Sequence, residues 1–242
     1  MRSMDIINVV GVSKSYGEGL VLENRNLTVQ QGESLVIFGA NGSGKTTLLK
    51  ILATQIRPDS GDVCIRGLSI SRRPNFARGM IGVVGHQDFL YEDLTLYQNM
   101  LFFGRMYRIP ELNHDIKEIL IGLGLYDNAH VRVRSLSHGM RKRASLARSL
   151  LHDPEILVLD EPESGLDLNA LQMMNQLRHT RVGDRRTMII TTHNMEYGFS
   201  VGDRVAVIAN GRIIFEKNIV DIDQTVFLEK YTELIQTSQG YL

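Results

Sequence analysis

The stretch Gly39-Ala40-Asn41-Gly42-Ser43-Gly44-Lys45-Thr46-Thr47 carries the pattern G-x-x-x-x-G-K-[ST], a loop built to bind phosphate. A triphosphate demands several donors at close range. Glycines let the backbone turn sharply, approach the phosphates and aim its N–H groups inward. A helix starting near Lys45 adds the positive end of its dipole. Lys45 is expected to reach the β- and γ-phosphates, and Thr46 to set its hydroxyl on Mg²⁺. A plain Gly-rich turn between strand and helix would use the same glycines, so the flanks decide. Ser34-Leu35-Val36-Ile37-Phe38 is a short apolar run of strand type. Thr47-Leu48-Leu49-Lys50-Ile51-Leu52-Ala53 has apolar residues at helical spacing.

A second patch of chemistry closes the run Ile156-Leu157-Val158-Leu159-Asp160-Glu161, which reads as a buried parallel strand ending in two carboxylates. Ligands of α/β sheets sit at the carboxyl ends of strands. Asp160 is then placed to hold Mg²⁺ through water, and Glu161 to orient and polarise an attacking water. Acidic residues often end strands with no such role; the phosphate loop upstream gives this pair its meaning. Ser135-Leu136-Ser137-His138-Gly139-Met140-Arg141 precedes a long helical pattern. A Ser, a Gly and a helix N-terminus make a second anion site, or only a cap in which Ser137 accepts a backbone N–H.

These residues need elements to position them. Ile6 to Val12 is an apolar strand-type stretch, followed by Tyr16 in a polar, Gly-flanked loop. Leu27-Thr28-Val29 reads as a strand that turns through Gln30-Gln31-Gly32-Glu33 into the run before the phosphate loop. Pro58-Asp59-Ser60-Gly61-Asp62 is a dense turn signal. Ile81-Gly82-Val83-Val84 is a further strand, ending at Gly85-His86-Gln87. From about 94 to 151 the pattern is helical. Thr95 caps a predicted helix bearing Leu96, Met100, Phe103 and Tyr107, which Pro110 ends. Ile116, Ile119, Leu120 and Leu123 mark a second, and Arg141 to Leu151 a third. Strand character returns at Ile156–Leu159 and Met188–Ile190. Asn210-Gly211 between two apolar runs predicts a hairpin. The tail from about Asp221 reads as helix. Strands on both sides of a helical block imply an α/β core with an inserted helical subdomain, in one domain spanning 1–242.

Composition fits an ordinary soluble globular chain. Lys plus Arg and Asp plus Glu number 27 each, for a formal net charge of zero, and nucleic-acid footprints are usually basic. No apolar run approaches the ~18 residues that span a bilayer, and the first residues lack the apolar core of a signal peptide. The single cysteine, Cys64, reads as a small buried hydrophobe. A cytosolic protein is expected.

The order of motifs resembles the ATP-binding subunits of ABC transporters. It runs from the phosphate loop through Gln87, Leu136-Ser137-His138-Gly139-Met140 and Leu159-Asp160-Glu161-Pro162 to Ser164-Gly165-Leu166-Asp167 and Thr192-His193. The likeness extends from Tyr16 to about Phe215. It implies a P-loop α/β core with an N-terminal antiparallel β subdomain and the inserted helical block. It also implies ATP and Mg²⁺ as ligands. Tyr16 would stack on adenine, and Gly39 to Thr47 would hold the phosphates. Gln87 would bind Mg²⁺ beside Thr46 and Asp160 and sense the γ-phosphate. Glu161 would be the catalytic carboxylate, and His193 the switch that contacts the γ-phosphate. Ser137 and Gly139 would reach the nucleotide of a facing subunit, which the loop ending at Asp167 would also meet. The family usually has Leu-Ser-Gly-Gly-Gln where this chain has Leu-Ser-His-Gly-Met, so no role passes to His138 or Met140. His138 is read as a half-exposed loop residue, the remaining histidines as surface, and Arg141-Lys142-Arg143 as a solvated helix face.

The resemblance implies an ATPase motor. Two copies, or one copy and a paralogue, would sandwich ATP and drive integral membrane subunits from the inner face of the cell membrane, without nucleic acid. The wording of Gly82 to Thr95 and of Arg134 to Met140 looks like the exporter branch, including the haem exporter of cytochrome c maturation. The alternative is a soluble ABC-type ATPase acting on nucleic acid or ribosomes. Against it stand the neutral charge, the single cassette and the absence of sustained heptads between Lys45 and Ser137. A regulator without turnover conflicts with the presence of Glu161 and His193. Among Phe89, Leu90 and Tyr91, at least one is expected to line a groove for a helix of the membrane partner.

Overall fold

Alternating apolar residues pair the first two strands, β1 (Asp5–Tyr16) and β2 (Gly19–Gln30), as a long hairpin. The computed structural model describes residues 5–85, 87–164, 176 and 185–239, with side chains as far as Leu234. His86 and the Gly165-Leu166-Asp167 part of the acidic loop lie outside the described residues. β4 (Ser60–Ile65) and β5 (Leu68–Ser69) extend the hairpin into an antiparallel sheet of order β2-β1-β4-β5. Tyr16 is the last residue of β1, paired with Gly19, and not a loop residue; strand pairing carries on to the hairpin tip.

The second sheet has the order β10-β9-β3-β8-β7-β6. β3 (Ser34–Phe38), β6 (Ile81–Val84), β7 (Ile156–Asp160), β8 (Thr187–Thr191) and β9 (Arg204–Ala209) run parallel. β10 (Arg212–Asn218) returns antiparallel at the edge. Its hairpin turns on Asn210 and Gly211, with φ of 45° and 63°; both positive values match the twist of a two-residue turn.

β3, β7 and β8 are buried at every position, so both faces of the sheet need cover. Alternate residues supply it. Leu35 and Ile37 join a core with the first sheet and with Leu48, Ile51 and Leu52 of α1 (Lys45–Leu52). Val36 and Phe38 join the opposite core, shared with the helical block and the tail. α2 (Pro74–Met80) leads into β6. Between β6 and β7 the chain forms α3 (Leu96–Tyr107), α4 (Leu112–Gly122) and α5 (His138–Leu150). α6 (Met195–Val201) separates β8 from β9, and α7 (Gln224–Gln239) follows β10.

Four expectations need correction. α5 starts at His138, not Arg141, because Ser137 caps it; His138 is therefore an exposed helical residue, not a loop residue. Lys142 and Arg143 are half-buried and turned inward, donating to the Gly85 carbonyl at 3.5 Å and the Leu123 carbonyl at 3.2 Å. Cys64 is half-buried, since β4 lies towards the rim of its sheet. α3 ends at Tyr107, before Pro110, where Arg108 takes a left-handed conformation at φ 58°.

Candidate nucleotide-binding site

The parallel strands deliver their carboxyl ends to one edge. Asp160 of β7 stands beside Thr191 of β8, which stands beside Ile37 of β3. Phe38 then runs into the phosphate loop. Gly42 and Gly44 adopt φ of 78° and 105°. A Cβ on Gly44 would lie 2.8 Å from Leu22 and 2.9 Å from the Val21 carbonyl oxygen, so only glycine brings the loop this close to β2. Gly44 caps α1 with no side-chain bond, leaving the amides of Lys45, Thr46 and Thr47 open to an anion.

Lys45 is only 6% exposed, and its Nζ donates to the carbonyls of Gly39 at 2.6 Å and Ala40 at 3.0 Å. Burial pushes its pKa down, against the opposing pull of Glu161 and then Asp160. The loop lysine and the carboxylate pair thus share one field. The Ser43 hydroxyl is buried without a hydrogen-bond partner, an orphan that a phosphate oxygen would satisfy. Asn41 and Gly42 are exposed, Ala40, Thr46 and Thr47 half-buried, and nothing lies within 4 Å of a Cβ built on Gly42. Open donors, an orphaned hydroxyl and a buried ammonium fit a polyphosphate.

Asp160 is buried and accepts from the Thr191 hydroxyl at 2.5 Å. Glu161 sits at φ 47°, a costly conformation for a residue with a side chain, held by its amide donating to the Thr191 carbonyl at 3.0 Å. Its Oε1 meets His193 Nε2 at 2.6 Å. Loop lysine, two carboxylates and imidazole therefore share one end of the sheet. Gln87 is exposed just beyond β6. Tyr16 is 52% exposed at the hairpin tip, with Lys14 Nζ 5.8 Å from its ring centre. Ser137 is exposed and accepts from the Met140 amide at 3.2 Å, so it is a cap. Among the described hydrogen bonds none joins Ser137 or Gly139 to the phosphate loop.

Three residues here have no part in the site on the sequence reading. Thr191 orients Asp160, and only strand register brings them together. Glu163 accepts from the Thr192 hydroxyl. Lys142 approaches from α5; burial lowers its pKa while Asp160, Glu163 and Glu161 oppose the fall.

A separate groove of about 360 Å³ has a lining that includes Phe89, Phe103, Tyr107, Arg148 and His152. Phe89 and Tyr91 are exposed, whereas Leu90 is 8% exposed and belongs to the core. The Arg148 guanidinium lies 5.3 Å from the Phe89 ring centre and 5.4 Å from that of Phe103, and donates to the Val83 carbonyl at 2.7 Å. His152 is not at the surface: its ring stacks flat on Tyr107 at 4.0 Å.

A family model described as ABC transporter matches residues 22–164. The Nod factor export ATP-binding protein I of Rhizobium sp. (strain N33) is 37% identical over 214 residues, covering 87% of this chain and 70% of that protein. The protein of the same name from Burkholderia lata is 39% identical over 212 residues, with the same coverage of 87% and 70%. A solved dimeric ATP-binding cassette, in a post-hydrolysis state bound to ADP and Pi, is 28% identical. Its TM-score is 0.79, over 88% of this chain and 98% of that one. A solved ATP-binding subunit of an ABC transporter reaches a TM-score of 0.85 over 95% of this chain and 99% of that one; at 24% identity it speaks for the fold alone.

Proposed function

Because the chain belongs to the ABC transporter family as an ATP-binding subunit, we propose that it is the ATP-hydrolysing motor of an export system and works as one half of an ATP-sandwiching pair. The chain is an ABC ATPase; export, pairing and residue roles are the further reading. The gathering of Lys45, Asp160, Glu161 and His193 at one end of the parallel sheet carries it.

Lys45 and the open amides at the start of α1 bind and orient the phosphates. Thr46, Gln87 and Asp160 offer the oxygen donors that suit Mg²⁺, which when bound neutralises phosphate charge. Thr191 keeps the Asp160 carboxylate aimed. Glu161 orients and polarises the attacking water, and His193, in contact with it, holds that carboxylate and reaches towards the γ-phosphate. Ser137, exposed, and Gly139, half-buried, at the head of α5 serve the nucleotide of the facing subunit.

Among the described residues no helix is long and apolar enough to cross a membrane. The family reading assigns the transport path to separate membrane subunits, with this chain on their cytoplasmic side. A short helix of such a subunit would seat in the groove beside Phe89. Export is favoured because the relatives above carry export names. They name Nod factor as cargo, and nothing in them points to haem; cargo choice is assigned to the membrane subunit.

Replacing Glu161 with Gln preserves shape and removes the charge. The expected result is intact ATP binding, an ATP-dependent dimer, and hydrolysis lower by about 10²–10⁴. Steady-state turnover within about threefold of wild type would remove Glu161 from its role.

A further inference from the structure

Phe38 is the residue on which the phosphate loop hangs. It ends β3, is fully buried, and its carbonyl carbon leads directly into Gly39. Gly39 has no slack: a Cβ there would run into the Ile208 carbonyl oxygen and lie 2.7 Å from the Ser43 hydroxyl. The Gly39 carbonyl in turn accepts from Lys45 Nζ. Any reseating of the Phe38 ring is therefore passed along a tight backbone to the loop lysine.

Two helices enclose that ring. α6 presses on it, for a Cβ on Gly198 would lie 2.5 Å from Phe38 Cζ, and Phe199 stacks at 6.3 Å. α6 is the helix that Asn194, the residue after His193, caps through the Tyr197 amide at 2.9 Å. The remaining side belongs to the tail helix. Phe227 and Tyr231, one turn apart on α7, lie 6.0 Å and 6.2 Å from the Phe38 ring. Phe227 is itself 3% exposed and touches Phe199 at 5.3 Å and Phe215 of β10 at 5.4 Å. These spacings are those of offset and edge-on ring contacts, which resist sliding. Burial raises the pKa of Tyr231, and the nearby Gly39 backbone opposes the rise. The opposite face of α7 is solvated, with Val226 58% and Leu228 54% exposed.

We propose that Phe227 and Tyr231 are positioning residues for the ATP site. They close the side of the Phe38 ring that α6 leaves open, and through it fix both the entry of the phosphate loop and the helix that continues from His193. The tail helix is thus part of the nucleotide site without touching nucleotide. This rests on reading Gly39 to Thr47 as the ATP site.

The test uses the full chain with Tyr231→Leu and Phe227→Leu, which keep apolar volume, and Tyr231→Phe, which keeps the ring. Leu228→Ala on the solvated face is the control. Equilibrium binding of a fluorescent ATP analogue is read beside KM and kcat, because affinity does not depend on the fraction of folded protein. The expected result is KM and dissociation constant raised about three- to tenfold in both Leu variants, with kcat within about twofold. Tyr231→Phe should recover most of the affinity, and Leu228→Ala should match wild type. A merely structural role would lower apparent kcat and melting temperature with affinity unchanged, and that result in both Leu variants overturns the proposal. Lys45→Ala separates the two readings. If it retains wild-type affinity, the site assignment itself fails; if it loses affinity while the α7 variants keep theirs, only the role of the tail fails.

Discussion

His152 shows what one misplaced residue does to the pH response of the whole chain. Its Nε2 lies 3.1 Å from the Ile81 carbonyl, which fixes that nitrogen as the donor, and its Nδ1 is buried without a partner. Burial, helped by Arg148 and Arg186 against Asp153 and the Ile81 carbonyl, lowers its pKa from 6.5 to about 4. As pH falls, the unfolded chain takes up this proton first. The stability tied to the neutral ring is complete above about 6.5 and is lost as pH falls towards 4, to the extent of about 2–3 kcal/mol. Urea denaturation at neutral pH and near pH 4.5 should show His152→Gln losing less stability on acidification than wild type. Equal losses would mean that the ring is solvated. Nothing in the sequence announced this histidine, because its burial comes from a stack with Tyr107 two helices away. Thr191 carries no sequence signal for the same reason, and Lys142 reads as part of a solvated helix face. Lys45, Asp160 and Glu161 were visible because local backbone chemistry, a Gly-rich turn and a strand end, places them.

At the scale of elements, α3 was legible and α5 only in part. Thr95 and Gln98 form a reciprocal cap at 3.1 Å and 2.9 Å, a device written in four consecutive residues. The head of α5 carries His138 and Gly139, poor markers of a helix, so its start was set three residues late although Ser137 caps it. A polar residue inside α3 does more than the cap. Asn99 is fully buried; its Oδ1 accepts from the Tyr91 amide at 2.8 Å, and its Nδ2 donates to the Tyr91 and Thr95 carbonyls at 3.0 Å each. It pins the segment that carries Phe89 and Tyr91 onto the helix. Asn99→Ala strands the Tyr91 amide, while the Tyr91 carbonyl keeps the Leu94 amide, and should cost about 1–3 kcal/mol, measured by chemical denaturation. Phe89→Ala, on the exposed wall of the groove, should leave melting temperature and ATP affinity close to wild type and weaken transport in the assembled complex. Leu90→Ala removes a core side chain and should cost about 2–5 kcal/mol. If Phe89→Ala leaves transport unchanged, the groove does not receive the membrane partner there.

At the scale of the whole molecule, no described hydrogen bond joins the phosphate loop to the head of α5, the two anion sites of the proposed reading. The phosphate loop opens α1 at the edge of the parallel sheet, while Ser137 and Gly139 open α5, with Ser137 exposed and bonded only to its own helix. On the proposed reading, a single chain binds nucleotide with one end and offers the other to a neighbour. If two copies face each other, each ATP lies between the Lys45 of one and the Ser137 of the other. Lys45→Ala removes the buried ammonium of one loop, and Ser137→Arg fills the opposing anion site with a bulky cation. Either variant alone spoils both sites of its own homodimer and should be inactive. In a mixed dimer of the two, both lesions fall on the same composite site and the second site keeps its native Lys45 and Ser137. Mixing two inactive variants should therefore restore partial ATP hydrolysis, rising with the fraction of mixed dimer as one partner is titrated into the other. If differently tagged subunits are shown to associate and the mixture still hydrolyses no more ATP than its parents, the nucleotide site is not shared between subunits, and Ser137 is a helix cap and nothing more.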